Sequence, residues 1–91
     1  MSNKQVTRIF VVDDEHVIAS TLAMILQQSD FSATSFTNPL DALEHARMDA
    51  PDLLISDVMM PQLSGIDLAI QMKKECPECK VLLFSGQAGT V

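Results

Sequence analysis

An α/β fold, a doubly wound parallel sheet with helices on both faces, is predicted by three features of the sequence. Short apolar runs rich in β-branched residues recur without the alternation expected of half-exposed strands. Helical periodicities fill the intervals between them. Asp or Ser closes three of the runs, where a parallel sheet would gather its strand ends.

The runs are Ile9-Phe10-Val11-Val12, Leu53-Leu54-Ile55 and Val81-Leu82-Leu83-Phe84. Each is short enough for a strand buried on both faces. The first helix is expected over His16 to Gln28, with Ile18, Leu22, Ile25 and Leu26 on one stripe and Asp13 or Asp14 as its N-cap. Phe31 to Phe36 interleaves Ser and Thr with apolar residues and reads as an edge strand. Asn38-Pro39 opens a second helix, Asn capping and Pro in the first helical position, running to about Met48. A third helix, about Ser64 to Glu75, places Ile66, Ala69, Ile70 and Lys73 on one side. Strand and helix therefore alternate from the first apolar run to the last, which implies right-handed crossovers.

The 91 residues make one small domain, with no repeat, low-complexity tract or linker. Hydrophobic residues are 47% and charged residues 20%, a composition that folds around a core. Folding at this size buries roughly 60–70% of the unfolded surface, enough for stability without much reserve. Six basic and twelve acidic residues leave a net charge of −6. That balance argues against direct nucleic-acid binding by this segment, because a phosphate backbone requires clustered cations. It leaves room for a basic protein partner or a metal ion. No window approaches a membrane span, and the polar stretch Met1 to Thr7 is unlike a signal peptide. Two cysteines cannot make a disulfide framework, so a cytoplasmic, reducing location is expected.

Ligands of parallel α/β sheets sit outside the carboxyl ends of the strands, near the point where strand order reverses. The first strand ends in Asp13-Asp14-Glu15, the third in Ser56-Asp57 and the fourth in Ser85-Gly86. Converging carboxylates repel, so one of them takes a raised pKa unless a cation neutralises the group. Hard carboxylate oxygens with room for water suit Mg²⁺. A carboxylate beside such an ion can attack phosphorus and form an aspartyl-phosphate.

Val11-Val12-Asp13-Asp14-Glu15, then Asp57-Val58-Met59-Met60-Pro61 with Gly65 following, then Phe84-Ser85-Gly86, resemble the receiver domain of bacterial two-component response regulators. The resemblance covers about residues 8–91 and keeps motif order, spacing and strand-end placement. It implies a flavodoxin-like sheet with strand order 2-1-3-4, and a phosphoacceptor, Asp57, charged by a sensor histidine kinase or phosphotransfer protein. It further implies Mg²⁺ held by Asp14, Asp57 and the Met59 backbone carbonyl, with Asp13 acting through water. Ser85 matches the hydroxyl that turns toward the phosphoryl group and reports its arrival. Met60-Pro61 and Gly65 would shape the loop after Asp57, glycine suiting a tight turn.

The family pattern continues with the rest of a fourth helix, a fifth strand ending in Lys, and a fifth helix. Residues 1–91 therefore read as one receiver domain, incomplete at its C-terminus and truncated after the fourth strand. Lys73, Lys74 and Lys80 cannot replace the missing Lys, because they lie on the third helix and at the start of the fourth strand. The expected output is a two-state surface read by an effector protein or attached output domain. The uncovered edge of the fourth strand predicts a homodimer or domain swap. Two rival readings stay open: a receiver-like docking module that is not phosphorylated, and a Mg²⁺-dependent phosphohydrolase with an aspartate nucleophile. The second generally needs an acid two positions after the nucleophile, where this sequence has Met59.

Cys76-Pro77-Glu78-Cys79 has the spacing of redox or zinc sites but no second ligand pair, and reads as a structural turn with free thiols. His16 and His45 are expected on exposed helix surfaces. The methionines are expected to fill the core, Met59 and Met60 beside the site excepted.

Overall fold

A computed structural model describes residues 6–85. Seven elements follow one another: β1 (Arg8–Val12), α1 (His16–Gln28), β2 (Ser32–Phe36), α2 (Pro39–Met48), β3 (Leu53–Asp57), α3 (Gly65–Glu75) and β4 (Lys80–Phe84). All strands pair in parallel, in the order β2-β1-β3-β4. From β1 the chain passes to β2 on one side, then returns to β3 on the other. Strand order thus reverses between β1 and β3, and a crevice opens at their carboxyl ends.

The period of two along each strand divides the core. Phe10, Val12 and Leu54 point toward α2 and α3 and pack with Phe36, Ala42, Leu43, Ala46, Leu68 and Met72. Ile9 and Val11 point the other way, against Ala23, Ala33 and the half-buried Leu22 and Leu26. Continuous apolar sequence in β1 follows from burial on both faces.

Helix boundaries agree with the sequence reading, but two helix faces do not. In α1 the fully buried residues are Ala19 and Ala23, while Ile25 is 51% exposed. Ala19 and Ala23 therefore face the sheet, with Leu22 and Leu26 half-buried beside them, and Ile18 and Ile25 lie outside the buried face. In α3 the buried residues are Gly65, Leu68 and Met72, and Ile66 and Ile70 are exposed. Of the expected stripe, Ala69, Ile70 and Lys73 instead border an open apolar groove, with Lys74 and with Val81 of β4. Met72 is the core methionine; Met24 and Met48 are exposed, contrary to the expected filler role.

Caps explain where helices begin. The Asn38 side chain accepts a hydrogen bond from Leu40 N at 2.9 Å, and Pro39 occupies the first turn of α2. Ser64 caps α3 by accepting from Asp67 N at 3.1 Å. The N-cap of α1 is Glu15, without a side-chain hydrogen bond, so neither Asp13 nor Asp14 caps that helix. Asp30, with φ of 70°, makes the left-handed turn from α1 into β2. Among the described residues no helix is long and apolar enough to cross a membrane.

Replacing Asn38 with Ala removes the acceptor that satisfies Leu40 N. We expect a loss of about 1 kcal/mol in unfolding free energy by urea titration, and an unchanged midpoint would show that the cap is energetically idle.

Candidate functional site

Backbone hydrogen bonds fix the strand ends before any side chain acts. Asp13 N donates to Phe36 O at 3.1 Å, carrying the ladder one residue beyond β1. Val58 N donates to Phe84 O at 2.8 Å, doing the same beyond β3. These bonds tie β1 to β2 and β3 to β4; β1 and β3 pair with each other up to Val12 and Ser56, so Asp13 and Asp57 follow at adjacent strand ends.

Asp13, Asp14 and Asp57 each bring a carboxylate oxygen to a common point, all within 4.8 Å of one another. Asp13 is 1% exposed and Asp57 7%, while Asp14 faces solvent. Asp57 Oδ1 accepts from Met59 N at 3.2 Å, which orients the carboxylate toward the crevice. Asp13 Oδ1 accepts from Glu15 N at 2.9 Å. Asp13 Oδ2 is buried without a hydrogen-bond partner among the described residues. A buried carboxylate oxygen left without a donor is a costly arrangement. A hard divalent cation is the kind of ligand that would balance it, because three oxygen donors of like charge already surround the point.

The same imbalance appears in the proton affinity of Asp13. Burial pushes its carboxyl above the usual range; the Glu15 N–H opposes this, and the charges of Asp57, Asp14 and Glu15 add to it. Two of the three acids expected at this rim are thus buried, and the raised carboxyl is Asp13, with burial as its first cause and the neighbouring charges adding to it. The sequence reading treated Asp13 as an outer participant and gave no sign that it would be the most deeply buried of the three. Its position just past four apolar residues of a central strand is the signal that it continues into the core.

Gly65 contributes by approach rather than by turning, since no described glycine has positive φ. Its N donates to Val58 O at 2.8 Å, and a Cβ there would overlap the Asp57 carbonyl oxygen. That Cβ would also stand 2.9 Å from both the Asp57 carbonyl carbon and Val58 Cα. Only glycine lets the start of α3 rest against the strand end that carries Asp57. Ser56 is fully buried, its hydroxyl donating to Asp57 O at 2.9 Å.

Ser85 is exposed and directly follows Phe84, which pairs with Asp57 across the ladder. Gly86 lies outside the described residues. Lys73 serves the opposite rim, its Nζ binding Cys79 O at 2.7 Å and Pro77 O at 3.1 Å. Both cysteines are free and buried in a turn, as the sequence suggested. His16 and His45 are exposed, although the His45 ring meets Phe36 edge-on at 5.1 Å.

With the acidic crevice at the switch point of this sheet, the sequence profile of the response regulator receiver domain matches residues 9–90. The chain belongs to that family. The transcriptional regulatory protein CreB of Escherichia coli is 36% identical over 83 residues, 91% of this chain and 36% of CreB. The probable transcriptional regulatory protein TcrX of Mycobacterium tuberculosis is 34% identical, with the same coverage. The chain therefore spans about a third of the length of these two relatives. A receiver domain crystal structure from Clostridium thermocellum superposes with a TM-score of 0.82 at 26% identity, covering 90% of this chain and 67% of that one. The flavodoxin-like order 2-1-3-4 expected from the motifs is the order observed. Receivers of two-component systems act in general as phosphoacceptors and bind Mg²⁺ in an acidic pocket.

Two substitutions probe the receiver's rim. A raised Asp13 pKa means that the native state holds more protons than the unfolded chain between 3.8 and the raised value. Stability then falls as pH rises through that window, leaving the ionised group unfavourable at neutral pH. Asp13→Asn keeps the acceptor for Glu15 N and removes the charge. Without divalent ions at pH 7 its melting temperature should rise, with the gap closing as pH falls toward 4. A lower melting temperature at pH 7 would contradict the assigned repulsion. Gly65→Ala should cost about 2 kcal/mol in urea unfolding by overpacking, and a change near zero would refute the close approach.

Proposed function

We propose that this receiver accepts a phosphoryl group on Asp57 and that Asp14, Asp57 and the Met59 backbone carbonyl hold Mg²⁺, with Asp13 engaged through water. The observation that carries the reading is the convergence of three carboxylates around the orphaned Asp13 oxygen at the sheet's switch point. Mg²⁺, when bound, would neutralise the carboxylates and stabilise charge on the transferring phosphoryl oxygens.

The chain's own residues supply nucleophile and orientation. Met59 N anchors Asp57 Oδ1 and leaves Oδ2 as the attacking oxygen. A bond forms between that oxygen and phosphorus as the bond from phosphorus to the donor's imidazole nitrogen breaks; the nitrogen leaves with the electron pair. The product is an aspartyl-phosphate. Ser85, one residue beyond the partner of Asp57, is the hydroxyl we assign to sensing the phosphoryl group.

The donor in this reading is a sensor histidine kinase or phosphotransfer protein, and the reader is an effector or an output domain. A phosphohydrolase role is disfavoured at Met59, whose thioether cannot act as a general acid two positions after the nucleophile.

Incubation with Mg²⁺ and acetyl phosphate should add the mass of one phosphoryl group. Chelation of the metal should abolish the gain, and so should Asp57→Asn. A gain that persists in that variant, or none in the native chain, would remove Asp57 from this role.

A further inference from the structure

Among the motifs of the sequence, Cys76-Pro77-Glu78-Cys79 is left unused by the acidic site. It joins the end of α3 to the start of β4, on the rim opposite the carboxylates. Cys76 N donates to Met72 O at 2.7 Å, closing the helix. Cys79 N then donates to Cys76 O at 3.0 Å, which makes a turn through Pro77 and Glu78. Such a turn holds its first and fourth Cα atoms within about 7 Å, close to the span of roughly 4.4–6.8 Å that a disulfide bridges. The Lys73 ammonium pins the turn by binding Pro77 O and Cys79 O. Both cysteines are buried in one apolar cluster with Leu54, Leu68 and Met72. Their access differs: Cys76 is 8% exposed and Cys79 1%.

We propose that Cys76 and Cys79 form a reversible disulfide site, entered at Cys76 by a small-molecule disulfide. The Cys76 thiolate attacks one sulfur of the oxidant, forming a mixed disulfide and releasing one thiol. The Cys79 thiolate then attacks the Cys76 sulfur of that mixed disulfide, forming the internal bond and releasing the second thiol. The protein dithiol loses two electrons and two protons, and the oxidant becomes two thiols. Graded access sets this order, since Cys79 is the more enclosed of the two.

The surroundings favour a slow but durable bond. Burial pushes both thiols upward; Glu75 adds to this at Cys76, and Cys76 and Asp52 add to it at Cys79, where Lys73 opposes them. Thiolates are scarce under such conditions, so attack is slow. High-pKa thiols are also poor leaving groups, so the closed bond resists exchange. The proposal stands apart from the phosphoacceptor reading and uses none of its residues.

The test is incubation of the whole chain with oxidised glutathione at mildly alkaline pH, followed by intact mass and thiol alkylation. The native chain should lose the mass of two hydrogens, form no intermolecular disulfide and resist alkylation until dithiothreitol restores both thiols. Cys79→Ser should stop at one glutathionyl group on Cys76. Cys76→Ser should react roughly tenfold more slowly, in keeping with the burial of the remaining thiol. Persistent glutathionylation of the native chain, disulfide-linked dimers as the main product, or no reaction of the folded chain while its denatured form reacts would each overturn the proposal. Because the native chain alone decides these outcomes, misfolding of either variant leaves the test intact.

Discussion

Like charges held together at the switch point of the sheet are the constraint on which the rest of this molecule turns. At an effective dielectric constant near 20, two unit charges about 5 Å apart repel by about 3 kcal/mol. Asp13 and Asp57 are both buried at that range, with Asp14 beside them. The fold does not relieve the repulsion by turning a side chain into solvent. It anchors one oxygen of each buried carboxylate to a backbone N–H, from Glu15 and from Met59. What remains is a region of negative potential with a fixed shape, which is the condition for binding a small hard cation with little reorganisation.

Such a site needs a frame that does not yield. The β1–β3 pairing up to Val12 and Ser56 keeps the two strand ends in register while their side chains repel, and Asp13 N and Val58 N extend the ladders to the outer strands β2 and β4. Below them, Val11, Val12 and Leu54 are fully enclosed and couple the rim to both halves of the core. Ion pairs add little: Arg8–Asp49 at 2.7 Å and Arg47–Glu75 at 3.1 Å lie on the surface, where screening and side-chain entropy offset most of the attraction. The stability that tolerates the acidic rim comes from packing.

The strands and the three acids were legible in the sequence because both follow from local rules. Doubly buried strands demand unbroken apolar runs, and ligand sites of parallel sheets lie at strand ends, so Asp13 and Asp57 mark themselves by position. Asn38-Pro39 announced its helix through cap chemistry alone. Helix faces were less legible. Residue hydrophobicity favours Ile18 and Ile25 over Ala19 and Ala23, yet the small pair is the one buried. The same happens in α3, where Leu68 and Met72 reach the core and Ile66 and Ile70 do not. Two apolar stripes of similar strength share each helix, and only the tertiary arrangement decides which is buried. Gly65 was visible as a residue but not for its reason, because a steric approach between segments leaves no local pattern.

Helix α3 runs from the acidic rim to the cysteine turn. Its first residue, Gly65, presses against the carbonyl of Asp57, and the residue after its last turn, Cys76, opens the cysteine turn. Eleven helical residues span about 16 Å, and Leu68 and Met72 hold this rod against β3 and the core along one side. A well-packed helix moves as a unit, because sliding it would open voids on the buried face. The contact at Gly65 is too close to absorb movement, since it lacks a side chain that could rotate aside. The position of the Asp57 strand end is therefore tied to the seating of α3, and that seating is fixed at the far end by Lys73 and the turn it holds.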